Sequence, residues 1–292
     1  MSASSPSDLP PTGAPELPEL PEVETIATDL RPLLVGEVIE RAELRFPAIV
    51  RHPEPEAFAR EVAGRRVTAL DRRGKYLLLR LSGPEALMLV IHLGMSGRLL
   101  HQTPESPLQP HTHAILHLAN GTQLRYVDPR RFGRLLLGTE EELVRQRKLP
   151  RLGPEPLDPG FSAADLRRRL QGRRAPLKVL LLDQAVVAGV GNIYADESCF
   201  RARVRPDLPA GRLGRERAQR LHAALRESLL LGIRNRGSSV DAYVDAYGAK
   251  GRQQEELLVY GRGGQPCPRC GRPLALVRVG GRATVFCRRC QR

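Results

Sequence analysis

The sequence contains no run of 18 apolar residues, so it offers no candidate for a membrane-spanning helix. Its first 17 residues contain no lysine or arginine and no apolar core, which excludes the patterns of a secretory signal and of an arginine-rich transit peptide. Cysteine is also scarce: there are five, and four of them cluster close to the C-terminus. This distribution favours a metal site in a reducing compartment over a disulfide framework.

Acidic residues are outnumbered by basic ones, 32 against 46, which gives a net charge of +14 and a pI of about 10.4. A chain this basic typically binds a polyanion, and nucleic acid is the first candidate. The length of 292 residues is enough for two domains of ordinary size.

The pattern along the chain predicts an α+β protein of several domains. Residues 1–17 are rich in Ser, Pro and Gly and are expected to form a disordered tail. Over 18–149, one helix is followed by strand-like runs, which predict a sandwich or barrel. These runs are 67–70, 76–81, 87–93, 114–118 and 123–127. Residues 150–160 contain four prolines and two glycines and therefore predict a linker.

The segment 161–262 is predicted to be mainly helical. Ser162 and Asp165 have the spacing of a capping box at the start of a helix over 163–170. Further helical patterns cover 175–183, 192–202, 214–235 and 239–246. The remaining residues, 263–292, contain the cysteine cluster.

Two Cys-x2-Cys pairs, separated by 16 residues, make up that cluster; they are Cys267, Cys270, Cys287 and Cys290. Four thiolates at this spacing form a tetrahedral site whose usual occupant is Zn²⁺, and no ligand position is left open, so we expect one structural zinc ion. Two strand-like runs between the pairs meet at Gly280-Gly281, which predicts a zinc-bound β-hairpin. Arg282 directly follows the tip, either as a solvated turn residue or as a cation carried toward phosphate.

Three loops contain residues that suit a nucleic-acid contact. Residues 188–195 place two glycines and Asn192 before a helix, a ready site for an anion. Residues 128–133 read DPRRFG after a strand, and an exposed Arg-Arg-Phe combines phosphate contacts with a wedge for a base stack. Met95, between glycines, could fill the space of an extruded base. Taken singly, each of these is more often an ordinary loop residue.

The start of the first predicted helix has two interpretations. Pro21 in the first turn and the surrounding glutamates favour a well-formed helix start. The alternative is that Pro18 is a nucleophile and Glu19 its proton partner. That role requires Pro18 to be the first residue of the working chain.

Taken together and in order, these motifs resemble the bacterial formamidopyrimidine-DNA glycosylase family. They are PELPEVET, GKYLLL, HLGMSG, DPRRFG, GVGNIYADE, VYGR and the four-cysteine finger, and they span 18–292. The resemblance implies an enzyme that removes oxidised purines from damaged double-stranded DNA and cuts the abasic site by β,δ-elimination. It implies an N-terminal β-sandwich, a helix–two-turn–helix domain over 161–262 and a zinc finger. It also implies a monomer, without membrane contact, in the bacterial cytoplasm at the nucleoid.

The resemblance assigns catalytic roles to four residues. Pro18 would form the Schiff base, and Glu19 would handle protons at the sugar and the leaving base. Lys75 would donate a proton in β-elimination and contact a phosphate. Arg282 would donate a proton in δ-elimination and clamp a phosphate.

DNA contacts are implied for eight further residues: Met95, His111, Arg130, Arg131, Phe132, Arg173, Lys178 and Asn192. Met95, Arg130 and Phe132 would fill the duplex where the lesion leaves it. Arg173 stands where a lysine is more usual. Lys178 and Asn192 would contact phosphates near the lesion.

Two features depart from the family pattern. Seventeen residues precede Pro18, and an amide nitrogen cannot form an iminium, so we expect the working chain to start at Leu17, read as Met from a non-AUG codon and then removed. The loop 251–254 lacks an aromatic residue that often follows this glycine in relatives that recognise 8-oxoguanine. The preference among oxidised purines is therefore open.

Three other interpretations compete with this one. An endonuclease VIII-like enzyme for oxidised pyrimidines is disfavoured by Leu20, where that branch usually has glycine. A non-catalytic lesion-binding protein would use the same cleft with a blocked Pro18. A generic zinc-ribbon protein would explain the finger and the charge but not the PELPEVE and DPRRFG motifs.

Overall fold

The computed structural model describes residues 18–240 and 242–292. The predicted tail and the expected start at Leu17 lie outside these ranges. The helices are α1 (Leu20–Leu34), α2 (Pro55–Val62), α3 (Glu140–Arg145), α4 (Ala163–Leu170), α5 (Leu177–Leu182), α6 (Asn192–Arg201) and α7 (Arg215–Arg234). The strands are β1 (Val38–Leu44), β2 (Val50–His52), β3 (Arg65–Arg73), β4 (Tyr76–Leu81), β5 (Leu87–His92), β6 (Arg98–Gln102), β7 (Thr112–Leu118), β8 (Gln123–Val127), β9 (Arg134–Gly138), β10 (Ala275–Val279) and β11 (Arg282–Phe286).

The N-terminal strands form two halves of one hydrogen-bonded sheet in the order β2-β9-β5-β4-β3-β1-β7-β8-β6. A short β1–β3 pairing, Val38 with Arg66 and Ile39 with Arg65, joins the halves. Apolar side chains from both halves belong to one buried core, for example Leu79 of β4 and Leu116 of β7. The two halves therefore enclose a common core, and the predicted N-terminal sandwich is confirmed.

Helix α1 connects this core to the helical part of the protein. Ile26, Leu30 and Leu34, spaced at one helical turn, are buried in the sandwich core. Leu20, at the first position of the helix, is instead buried in a second core formed by α4 to α7. The start of α1 is therefore fixed where the two cores meet.

The helical part follows the sequence pattern closely. Ser162 and Asp165 form the predicted capping box, in which Asp165 N donates to Ser162 Oγ at 3.2 Å and Ser162 N donates to Asp165 Oδ2 at 3.0 Å. Helices α5 and α6 are joined by the glycine-containing turn at 183–191. Among the described residues no helix is long and apolar enough to cross a membrane.

One predicted helix is absent. Over the described part of 239–246 the chain forms bends and turns instead. Ser239 Oγ donates to the Tyr243 carbonyl at 2.9 Å, and Ser239 N donates to Gln254 Oε1 at 2.9 Å. The apolar residues that suggested a helix, Tyr243 and Ala246, are buried in the sandwich core from this irregular segment. Tertiary packing therefore replaces the helical hydrogen bonds here.

Strands β10 and β11 form the predicted hairpin, which packs against α6. Val285 N of β11 donates to Asp196 Oδ2 of α6 at 2.9 Å. The finger has only a small apolar core of its own, which includes Phe200 of α6 and Val285. Its position relative to α6 therefore depends on the hydrogen bond to Asp196 and on the packing of Phe200 against the finger.

Candidate active site

Glu19 lies at the N-terminus of α6, although the two are more than 170 residues apart in sequence. Its carboxylate accepts hydrogen bonds from Gly191 N at 2.6 Å and from Ile193 N at 2.8 Å. A Cβ at Gly191 would lie 2.3 Å from Glu19 Cδ, so only glycine allows this approach. The positive end of the α6 dipole and two backbone donors therefore hold a buried carboxylate.

Glu22 fixes the backbone on the other side of Glu19. It accepts from Glu19 N at 3.0 Å, from Tyr194 Oη at 2.9 Å and from Ser238 N at 2.7 Å. Burial raises the pKa of Glu22, against the lowering effect of these hydrogen bonds. Leu20 N also donates to the Gly189 carbonyl at 3.0 Å, so the segment that follows Pro18 is anchored on both sides.

A cavity of about 240 Å³ opens in front of Glu19. It brings together five predicted site residues from five separate parts of the chain: Glu19, Lys75, Met95, Asn192 and Arg282. Pro18 lines a smaller neighbouring cavity, of about 30 Å³, and Met95 lines both. The predicted proton carriers and phosphate contacts thus share one cavity between the sandwich, the helices and the finger, and the predicted nucleophile lies in the cavity beside it.

Lys75 follows the tight turn between β3 and β4, where Gly74 has φ +58°. Glu155 of the linker holds this turn, because Gly74 N donates to Glu155 Oε1 at 2.6 Å and Arg72 Nη1 donates to Glu155 Oε2 at 2.8 Å. The Lys75 side chain is only 6% exposed. Glu155 therefore helps to position Lys75, a largely buried residue, at the cavity.

His92 also lines the cavity and was not singled out from the sequence. Burial, and then the positive charges of Arg134 and Lys75, lower its pKa to about 3, so the ring is neutral at pH 7. Gly94 N donates to His92 Nδ1 at 3.2 Å, which leaves the ring proton on Nε2. His92 is thus a neutral hydrogen-bond donor. The sequence feature that could have identified His92 as a site residue is its position in the HLGMSG motif, which also contains Met95.

Two loops beside the cavity are tied together by Asp128, which is fully buried. Its carboxylate accepts from Ser96 Oγ at 2.6 Å and from Gly133 N at 2.8 Å. A Cβ at Gly94 would lie 2.5 Å from the backbone of Phe132, so the loops approach as closely as glycine allows. The loop of Met95 and the loop of Phe132 therefore form one rigid unit.

The predicted wedge residues project from this unit. Phe132 is 55% exposed, and the Arg130 guanidinium lies 5.1 Å from its ring centroid. Arg131, with φ +59°, is placed over the ring of Phe46 at 4.4 Å. An exposed aromatic ring on a rigid loop beside a cavity is suited to stacking against bases.

Three other predicted DNA contacts lie outside the cavity. His111 is exposed, with φ +63°, at the start of β7, and Arg173 is exposed in the turn after α4. Lys178 contradicts the prediction, because its side chain is fully buried. Its Nζ lies 2.7 Å from Asp196 Oδ1 and donates to the Ala283 carbonyl at 2.8 Å. Lys178 therefore joins α5 and α6 to the finger and does not face a phosphate.

The four predicted zinc ligands converge at the base of the hairpin. Their sulfur atoms all lie within 4.8 Å of one another, with 3.5 Å between Cys270 and Cys287 and 4.0 Å between Cys267 and Cys290. A tetrahedral zinc ion with Zn–S bonds of about 2.3 Å separates its sulfurs by about 3.8 Å. The cysteines therefore fit a structural zinc ion.

Three protein-family models match successive regions of the chain. They are the formamidopyrimidine-DNA glycosylase N-terminal domain over residues 17–135, the formamidopyrimidine-DNA glycosylase H2TH domain over 152–244, and a zinc finger found in FPG and IleRS over 264–292. The formamidopyrimidine-DNA glycosylase of Moorella thermoacetica is 54% identical over 262 residues, covering 90% of this chain and 95% of the relative. The chain belongs to the formamidopyrimidine-DNA glycosylase family.

Solved structures of this family share the fold. The MutM (Fpg) protein of Thermus thermophilus superposes with a TM-score of 0.84 at 45% identity, covering 94% of this chain and 98% of that one. A Lactococcus lactis FPG mutant in complex with a Fapy-dG containing DNA gives 0.86 at 35% identity, covering 94% and 99%. The resemblance of the motifs is thus confirmed, as are the α+β architecture and the zinc finger.

Gln184 was also missed from the sequence. It lines the cavity, and its side chain accepts from Gly189 N at 2.8 Å and donates to the Val190 carbonyl at 2.9 Å. It thereby fixes the turn that presents Gly191 to Glu19. No local sequence signal distinguishes it from an ordinary loop glutamine.

Proposed function

We propose that this chain excises oxidised purines, including 8-oxoguanine and formamidopyrimidines, from double-stranded DNA and then cuts the abasic strand by β,δ-elimination. The observation that carries the proposal is the single cavity lined by Glu19, Lys75, Met95, Asn192 and Arg282, with Pro18 beside it. Membership of the glycosylase family supports it, as does the lesion-containing DNA in complexes of the Lactococcus lactis relative.

Base removal begins with the ring nitrogen of Pro18. As the free secondary amine it forms a bond to C1′ while the bond from C1′ to the damaged base breaks. The α-amino pKa lies near 8 against about 10.4 for lysine, so at pH 7 roughly 10² times more of it is unprotonated. Glu19 transfers protons at the sugar and the leaving base. This chemistry requires that residues 1–17 be absent from the working enzyme.

Strand cleavage follows from an iminium cation, which forms when the C1′–O4′ bond of this adduct breaks. O4′ takes a proton from Glu19, and the proline nitrogen, having lost its own proton, forms the double bond to C1′. The cation accepts electrons when the C2′ proton is removed, so that the 3′ C–O bond breaks with Lys75 as the proton donor. A second elimination breaks the 5′ C–O bond, with Arg282 as the donor. Asn192, Arg282 and Lys75 hold the flanking phosphates, while Met95, Arg130 and Phe132 occupy the vacated duplex. Arg131 contacts the DNA beside them.

Further details complete the proposal. His111 and Arg173 contact the DNA backbone away from the cavity. The regions 18–149, 161–262 and 263–292 act as separate domains, with 150–160 as the linker.

The protein works as a monomer in the bacterial cytoplasm on nucleoid DNA. The molar mass of the purified protein, measured free and bound to one duplex, tests whether the protein is a monomer.

The decisive assay uses chain that begins at Pro18 and an end-labelled duplex with one 8-oxoguanine. We expect release of the base, a gap with phosphate at both ends, and a covalent adduct when borohydride is present. Cleavage restricted to oxidised pyrimidines would contradict the substrate assignment. Tight lesion binding without base release or adduct would contradict the enzymatic function.

A further inference from the structure

The metal-binding end of the finger forms a second basic groove, remote from the catalytic cavity. It has a volume of about 720 Å³ and is lined by Cys290 and six arginines. The arginines are Arg203, Arg217, Arg220, Arg269, Arg289 and Arg292. We propose that this arginine groove binds the phosphate backbone of a second DNA segment, other than the one whose lesion enters the catalytic cavity.

The groove and the catalytic cavity lie at opposite ends of the same elements. Helix α6 begins at Asn192 in the cavity, and Arg203 lies two residues beyond its last residue, Arg201. Ten residues of α-helix span about 15 Å. The hairpin likewise carries Arg282 at one end and the cysteine pairs at the other. About one helix length therefore separates the arginine groove from the catalytic cavity.

The fold explains two of the six arginines. Arg269 donates to the Phe200 carbonyl at 2.7 Å and to the Arg201 carbonyl at 3.2 Å, and Arg220 donates to the Ala202 carbonyl at 3.2 Å. Both side chains thus satisfy carbonyls at the C-terminus of α6, where the helix dipole favours a cation.

The other four arginines have no comparable role. Among residues 18–240 and 242–292, only Arg220 of the six has a carboxylate side chain within 4.0 Å, that of Glu216. Exposed arginines elsewhere on this protein do pair with acids, such as Arg45 with Glu43 at 3.2 Å and Arg145 with Glu141 at 3.8 Å. Among the described residues, Glu216 alone provides an acidic side chain within 4.0 Å of these six arginines. The remaining like charges repel one another, and a bound polyanion relieves that repulsion.

The lining of the groove favours nucleic acid over a protein partner. Arginine forms paired hydrogen bonds with phosphate oxygens, and several guanidiniums along one groove suit a repeating phosphate backbone. Among the residues that the structure describes, none that lines the groove has an aromatic or aliphatic side chain that could serve as the anchor of a protein interface. None of these lining side chains is suited to insert between bases, so the contact would be independent of the DNA sequence. This choice of DNA rests on the proposed function.

The test asks whether a complex already holding a lesion binds a second duplex. The full working chain is saturated with a short duplex that carries a stable abasic-site analogue. A fluorescent, undamaged duplex of 30 base pairs is then titrated in at several salt concentrations. We expect binding that weakens steeply with salt. The double variant R203Q/R217Q should weaken it at least about tenfold and reduce the salt slope by about 2, since each lost phosphate contact contributes about 0.9.

Matched controls separate this groove from general charge. R60Q/R145Q removes the same charge from α2 and α3 and should leave second-duplex binding unchanged. Excision from a short 8-oxoguanine duplex should be the same in all three proteins. Zinc content and melting temperature check folding, and R217Q alone, in the first turn of α7, should show about half of the change in salt slope.

Three results would overturn the proposal. They are failure of the wild-type complex to bind a second duplex, equal weakening by both double variants, and tighter binding of polyglutamate than of DNA of equal charge. Loss of excision in the wild type would instead contradict the proposed function, and it is measured independently on the short duplex.

Discussion

Ile193 N donates a hydrogen bond of 2.8 Å to Glu19 Oε1, and this bond joins the first turn of α1 to the first turn of α6. The sandwich supplies the carboxylate and the helical part supplies the donors. The catalytic cavity therefore exists only when the two parts are docked. This explains why residues from the whole length of the chain line it.

Replacing Glu19 with glutamine should separate the two chemical steps. An amide cannot transfer the proton that base release needs, whereas a preformed abasic site has already lost its base. We expect excision of 8-oxoguanine to fall at least about 100-fold and cleavage of an abasic site to fall far less. Single-turnover assays on the two substrates measure this. Glu40→Gln, on the exposed side of β1, should change neither rate, and equal loss on both substrates would refute the role of Glu19.

Replacing Phe132 with alanine should weaken lesion recognition without affecting stability. The ring is 55% exposed, so little buried area is lost. Stacking of a base on an aromatic ring contributes about 1–3 kcal/mol. We therefore expect roughly 5- to 150-fold weaker binding to an abasic-analogue duplex and an unchanged melting temperature. Val144→Ala, a 60% exposed apolar residue on α3, is the matched control. Unchanged affinity in Phe132→Ala would exclude the wedge.

Lys178→Met should destabilise the finger. Burial raises the pKa of Asp196 to about 7 even though Lys178 opposes the shift, so removing Lys178 leaves a costly buried acid. Loss of one partner of such a pair costs about 3–5 kcal/mol. We expect a lower melting temperature and weaker zinc retention, partly restored in Lys178→Met/Asp196→Asn. A single variant as stable as the wild type would show that the pair does not hold the finger.

His92 should stay neutral across the working pH range. Its pKa is lowered to about 3, so the folded protein does not bind this proton as the pH falls below 6.5, whereas the unfolded chain does. The contribution of His92 to stability is thus complete above pH 6.5 and is lost progressively toward pH 3. Histidine-selective NMR, assigned with His92→Gln, should show one ring that does not titrate between pH 8 and 5. Titration near pH 6.5 would contradict this.

Local sequence patterns predicted the features that depend on near neighbours. The Ser162–Asp165 capping box involves four consecutive residues, and the cysteine spacing fixes a metal geometry with little help from the rest of the fold. The turn between β7 and β8, where Gly121 has φ +85°, likewise depends on the adjacent pair Asn120-Gly121, a common hairpin-turn sequence. In each case the residues that determine the local structure are close in sequence.

Long-range contacts were not predictable in this way. Lys178 resembled a surface cation, and its burial depends on Asp196 and on Ala283, more than 100 residues away. The segment 239–246 had a helical pattern, but its apolar residues pack on a core built by distant strands. His92 becomes a neutral donor because the fold buries it and, to a smaller degree, because it places Arg134 and Lys75 near it. Local sequence patterns do not show which distant residues come together in the folded protein.

The identity of the atom that attacks the sugar is the central claim, and mass spectrometry tests it most directly. The working chain is trapped with borohydride on an 8-oxoguanine duplex, digested, and the modified peptide is sequenced. We expect one adduct on the α-nitrogen of Pro18, with no residue before it, and no trapping of chain that retains residues 1–17. An adduct on Lys75 or another lysine, or equal trapping of the longer chain, would contradict it.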